Sequence, residues 1–411
     1  MIVVMKLIRI FSRIDELASS VGEKSGIKLI LRTMQRYPFC VQLQINCSAC
    51  LANLASTKAN LTAMLEEGCI KLVLENMNKF MNIPDVQAEI CATIANLAVH
   101  DANARYIIDQ GGCVLIIKAM RIHINQIDFQ IQAFHALASL GKFGKEILDR
   151  EHFMHAATKC LLAHSGNLDL ISAAYHSIGS LANAGISIGS YKFELISGIF
   201  DSMKRFKDNC VFQVTACFAL AHIFFNHRDP EQDDLAVAKK EGIQCILGIM
   251  KTFSDQESLQ TTALFALGSI VMKSELHRNT VLESDGISII LNSMSRKYTS
   301  TPALDNDGLL IAEAAFEDEL EAEIAPQAAE PVLFSRTNAR VKCSKPLLLQ
   351  LFGSVSLLNL AETEKCRDAI IEQGGIHAIF EASKKVHDQA DLWFIVYYIF
   401  SKFTRCGGNQ Y

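Results

Sequence analysis

Residue types able to hold a metal or attack a substrate are present, but their spacing assembles no centre. Cys47-x-x-Cys50 has the spacing of half a structural zinc site. Zinc needs a second ligand pair, and no pair of suitable spacing lies nearby. Both thiols fall at positions filled elsewhere in the chain by Ala or Thr, so they read as small buried hydrophobes. His152 and His155 stand one helical turn apart, and His135 and His176 recur at equivalent places 41 residues apart. No motif fixes a carboxylate beside either pair. They read as contact residues with some pH sensitivity near neutral, not as ligands. There is no phosphate loop, nucleophile elbow, H-E-x-x-H or kinase motif set. The expectation is a protein without catalytic residues, metal or cofactor.

The elements around these residues must therefore carry the function. The chain has 411 residues, half of them apolar, and a formal net charge of −5. One compact core does not grow to that size, but a repeat array does. Seven prolines favour helices over a sandwich. Thirteen cysteines without a paired framework imply free thiols in a reducing compartment, hence a cytoplasmic protein, with the nucleus as the other option. Lys6 and Arg9 interrupt the apolar opening, and no cleavage site follows. Residues 2–18 read as one apolar helix. No apolar run approaches the roughly 20 residues of a membrane span. Lys28, Arg32, Lys71, Lys118 and Arg121 are basic residues of the repeats, but charge near balance argues against nucleic acid.

Laying the chain on itself reveals a repeat. Leu51-Ala52-Asn53-Leu54 recurs around Asn96, Ser139, Ser180, His222, Ser269 and Asn359, at steps of 43, 43, 41, 42, 47 and 90. Glycine precedes this anchor by 27 residues at Gly26, Gly112 and Gly242, and by 28 at Gly68. It reads as a left-handed helix end. In the fourth and fifth units Phe153 and Leu195 replace it, so those junctions should differ in geometry. Met34, Met120, Met250 and Met294 stand eight residues after a glycine, and Met77 nine after. Gln44, Gln87, Gln130, Gln213, Gln260 and Gln350 stand nine before the anchor. Aliphatic residues two before and one after the anchor share one helix face, which must be buried. Positions three and six before it are mostly small, as at Ala136 and Ala133, and let the next repeat approach closely.

A unit of about 42 residues with these features resembles the armadillo repeat. Gly112-Cys113-Val114-Leu115-Ile116 followed by Ala133-Phe134-His135-Ala136-Leu137-Ala138 carries the likeness best. The resemblance implies an all-α, right-handed superhelix of about eight three-helix repeats whose third helices line a groove. That groove would take an extended peptide or helix of a protein partner. Importin-α, a member of this family, carries Trp four residues before the groove Asn. Here those positions are Ala49, Ala92, His135, His176, Phe218, Phe265 and Val355. A nuclear-transport adaptor and a regulatory subunit of an enzyme complex are therefore kept as alternatives to a binding scaffold.

Gly286 to Asn359 is 73 residues, so 298–343 is read as an insertion between the second and third helices of one repeat. Residues 1–297 then hold repeats one to seven, the first partial, and 344–411 complete the seventh and form an eighth. Between Tyr298 and Ser335 there are nine acids and no Lys or Arg, which suggests a solvated loop. Phe316, Leu320 and Ile324 recur at intervals of four, so an acidic helix competing for the groove is the sharper reading. Leu392–Phe400 is apolar and fits the third helix of the last repeat. The groove residues expected from the register are Asn53, Asn96, His135, Ser139, His176, Ser180, Phe218, His222, Phe265 and Asn359. The Asn and His residues would bond the partner's backbone, and Phe218 and Phe265 would offer apolar pockets.

Overall fold

The structure is a computed structural model. It describes residues 1–14, 18–21, 25–141, 143, 150–186, 188–226, 236–272, 274–298 and 345–385. The proposed acidic helix and the apolar segment 392–400 lie outside them. The chain divides into two compact units, Met1–Tyr191 and Lys192–Tyr411. Among the described residues every regular element is helical, and no strand occurs.

The first unit runs α1 (Ile2–Phe11), α2 (Gly26–Arg36), α3 (Val41–Leu54), α4 (Lys58–Glu66), α5 (Cys69–Lys79), α6 (Pro84–Leu97), α7 (Asp101–Asp109), α8 (Gly112–Ile122), α9 (Ile127–Gly141), α10 (Arg150–Ala163) and α11 (Leu168–Asn183). The anchors sit on α3, α6, α9 and α11, and these helices stack in chain order, with α1 against α3. The second unit runs α12 (Lys192–Arg205), α13 (Cys210–Asn226), α14 (Ala236–Thr252), α15 (Glu257–Val271), α16 (Glu275–Glu283), α17 (Gly286–Ser295), α18 (Lys345–Leu360), α19 (Glu364–Glu372) and α20 (Gly375–Lys385). Here α13, α15 and α18 carry the anchors and stack likewise.

The stripe flanking each anchor is buried throughout, from Leu51 and Leu54 at 0% exposure to Leu357 at 0% and Leu360 at 1%. Each such side chain contributes about 1.5–3 kcal/mol that an isolated helix would lack. Contacts run between neighbours in each ladder, the pattern expected of repeats that stabilise one another.

The Gln and Met registers turn out to be one device. Gln87 Nε2 donates to Met77 O at 2.7 Å and Phe80 O at 2.9 Å. Gln130 does the same to Met120 O and His123 O, and Gln260 to Met250 O and Phe253 O. The last carbonyls of a helix have no intrahelical donor, and the amide of the following helix supplies one. Gln213 bonds Met203 O and Phe206 O, which adds Met203 to the register although its repeat lacks the glycine. Gln350 Nε2 reaches Met294 O at 2.8 Å, so the same clamp closes from α18 onto α17.

Three details differ from expectation. The first helix ends at Phe11, with a turn at Ser12–Arg13 and helical residues again from Ala18, instead of running unbroken from 2 to 18. The glycine register holds two roles. Gly68 is itself left-handed (φ 73°), but Gly112 is the first residue of α8 and follows left-handed Gly111 (φ 78°). A Cβ on Gly112 would lie 2.9 Å from Ile107 O, so that position is fixed by close approach and not by φ. This explains the offset of 28 at Gly68, where Cys69 takes the packing position. Gly242 lies inside α14, where the first two helices of the repeat run on as one. In the fifth unit, a 3-10 turn at Gly189–Tyr191 leads directly into α12, so the junction without glycine does differ.

Candidate functional site

Within each unit the stacked third helices present their anchor residues in a row. Asn53 Nδ2 donates to Arg9 O at 3.2 Å and Ser12 Oγ at 3.1 Å. Asn96 Nδ2 reaches Ala52 O at 2.8 Å, and Asn359 Nδ2 reaches Gly268 O at 3.0 Å. Each amide nitrogen therefore ties its helix to the preceding third helix. Thr93 and Ser356, three residues earlier, repeat the pattern with Ser48 O and Leu264 O. The expected donors to a partner's backbone are thus engaged inside the chain. Asn96→Ala is expected to cost about 1 kcal/mol of stability, read as a lower denaturant midpoint for the first unit.

His135 and His176 are brought together, as their register implied. Both are half-buried on α9 and α11. Burial lowers the pKa of His135, and burial together with the charge of His135 lowers that of His176 to about 4. Both imidazoles are neutral near pH 7. Ser139 is half-buried beside them in sequence, whereas Ser180 is 2% exposed and does not reach a surface. His152 is exposed, and His155 Nδ1 lies 3.5 Å from the Tyr191 hydroxyl. No group of three or more metal-ligating side chains occurs among the described residues.

In the second unit the anchor helices carry aromatic residues. Phe218 is only 3% exposed and meets His222 edge-on at 4.6 Å, so it fills the interior and offers no pocket. His222 is pressed between Phe218 and Phe265, and its burial pushes its pKa down to about 3. Phe265 is half-buried and stacks on Phe352 at 4.6 Å, with Phe225 tilted against it at 5.9 Å. Together with Met272, Val355 and Asn359 these rings line a shallow hollow open to solvent. Its wall is apolar, and no Asp or Glu lines it. Phe225 and Phe352 were not among the expected groove residues. Phe352 lies seven before its anchor and could have been found two turns along the same face. Phe225 follows its anchor by three and gave no repeat signal.

The cysteines behave as small hydrophobes. Cys47 and Cys50 are 0% exposed, and Cys50 Sγ donates to Met5 O at 3.5 Å. Burial first, and neighbouring thiols second in the case of Cys47, push both pKa values up to about 12. Eight of the eleven described cysteines are buried and all eleven are free; Cys343 and Cys406 lie outside the described residues. A native protein treated with iodoacetamide at pH 8 is expected to leave Cys47, Cys50, Cys69 and Cys91 unlabelled until denaturant is added, as read by peptide mass spectrometry.

Comparison with known proteins supports the fold alone. No family model matches the chain, and no characterised protein matches it in sequence. An engineered protein of known structure aligns with a TM-score of 0.60 at 15% identity, covering 97% of this chain and 94% of its own. A structure from work on a phosphorylation switch controlling the interaction between cadherin and beta-catenin aligns with a TM-score of 0.54 at 12% identity, covering 99% and 88%. Both likenesses agree with an all-helical architecture of packed neighbouring helices. No described helix is long and apolar enough to cross a membrane.

Proposed function

We propose that the chain is a non-catalytic protein-binding scaffold of the armadillo type. In this reading about eight three-helix repeats follow the right-handed sense of that family, and the protein works in the cytoplasm. The observation that carries it is the aromatic hollow on α13, α15 and α18. Third helices locked together by clamps and ladder bonds hold Phe225, Phe265 and Phe352 in fixed positions, and rigid aromatic anchors are what interface hot spots are made of. The partner is an extended peptide or a helix that places an aliphatic or aromatic side chain there. The likeness to a structure from work on the interaction between cadherin and beta-catenin fits this role.

The nuclear-transport alternative gains nothing from the hollow. A basic signal needs carboxylates or a ladder of Trp faces, and the wall carries neither. Screening a random-peptide phage library against the full chain tests the reading. Recovered peptides are expected to share an apolar anchor, and Val355→Glu at the half-buried rim should weaken them about tenfold, near 1.4 kcal/mol. Recovery of Lys-rich peptides, or indifference to Val355→Glu, would overturn it.

A further inference from the structure

The first helix stands in the register of a third helix. Asn53 Nδ2 to Arg9 O and Cys50 Sγ to Met5 O repeat the bonds of Asn96 to Ala52 O and Thr93 to Ser48 O. On a third helix, the anchor and the residue three before it face the preceding third helix. In α3, α6 and α18 that pair is Cys50 and Asn53, Thr93 and Asn96, Ser356 and Asn359, which bond the neighbour's carbonyls. In α1 the same two positions are Leu7 and Ile10, exposed by 47% and 58%.

Those two residues continue into Val3 on α1, exposed by 69%, while Ile14, exposed by 52%, follows beyond the helix end. Along α1 the steps from Val3 to Leu7 and Ile10 are four and three, the spacing of a helix–helix seam. The position three before the anchor is small in every described third helix, from Cys50 through Ala136 and Ala219 to Ser356. A leucine there prevents another helix from approaching at ladder distance, and neither Leu7 nor Ile10 can donate to a carbonyl. The face suits a helix held further off, with interdigitating side chains.

Charge selects the kind of helix. Lys6 and Arg9 run along one edge of the seam, Arg13 follows in the turn after the helix, and α1 contains no Asp or Glu. Arg9 is engaged with Glu89 at 2.7 Å. A second copy of α1 would bring more cations and no acid. An interfacial membrane helix keeps a broad polar face in water behind its apolar one, whereas the back of α1 packs on α3. We propose that the outer face of α1 docks an acidic amphipathic helix of another protein, with the partner's apolar residues against Val3, Leu7 and Ile10 and its carboxylates against Lys6 and, in the turn that follows, Arg13.

The test uses the full chain and a synthetic helical peptide of about three heptads, with Leu at the seam positions and Glu at the flanks. A twin carries Lys for every Glu. Calorimetry is expected to show binding of the acidic peptide and not of its twin. Leu7→Ser with Ile10→Ser, both at exposed positions, should weaken it about tenfold or more while the denaturant midpoint stays unchanged. Lys6→Glu with Arg13→Glu should invert the preference between the two peptides. The proposal is overturned if neither peptide binds, if both bind alike, or if the serine pair has no effect. It is overturned equally if sedimentation shows that the serine pair dissolves a dimer, or if α1 binds phosphatidylserine vesicles and no peptide.

Discussion

Gln130→Met is expected to lower the stability of the first unit by about 1–3 kcal/mol. Met keeps the length and most of the volume of the side chain but removes its two donors. The Met120 carbonyl, bonded at 2.8 Å, is then left buried at the end of α8 without that donor, whereas His123 O keeps the backbone N–H of Gln126 at 2.9 Å. An abandoned buried acceptor costs about 1–3 kcal/mol, because water cannot replace the donor. Equilibrium unfolding in urea reads the loss as a lower midpoint. A change below about 0.5 kcal/mol would mean that the Met120 carbonyl finds another donor, and the clamp would not be the origin of the Gln register.

Acidification is expected to weaken both units between pH 6.5 and 4, through His176 in the first and His222 in the second. Their folded pKa values lie at about 4 and about 3, below the ordinary 6.5, and burial is the leading cause for each. A depressed base binds its proton more readily when unfolded. The stabilisation is therefore complete above pH 6.5 and is lost as pH falls towards the folded value. At pH 5 each such histidine costs about 2 kcal/mol relative to pH 7. His222→Leu keeps the apolar contact with Phe218 and Phe265 and removes the titration. Denaturant midpoints at pH 7 and pH 5 should differ less in this variant by about that amount. An unchanged difference would show that the imidazole is solvated in the folded state. Half-buried Glu89 runs the other way: burial raises its pKa against the pull of Arg9, so comparison with the parent chain is needed to isolate the histidine.

Much of the ladder was legible from side-chain types alone, and the clearest case is the aliphatic pair around each anchor. Its burial follows from helix geometry, since residues three apart share a face. The Gln and Met registers were visible but unexplained, because the bond joins a side chain to a backbone carbonyl of another helix, and backbone acceptors leave no mark on residue type. Met203 shows the limit well: its repeat lost the glycine used for counting, yet the clamp is intact. The glycine register was read as left-handed when only Gly68 of that set is. A glycine needed for φ and one needed for close approach look alike until the opposing residue, here Ile107, is known.

The sequence by itself determined that this chain is helical, repetitive and lacking a recognisable catalytic motif, since those properties live in period and composition. Tertiary structure decided what the row of third helices can do. Asn53, Asn96 and Asn359 were expected to reach outward and instead bond the neighbouring helix, while Phe218 turned inward and Phe225 and Phe352 came to line a hollow. Residue type states what a side chain could bond or bury. Which of its neighbours is close enough is settled only when the helices pack.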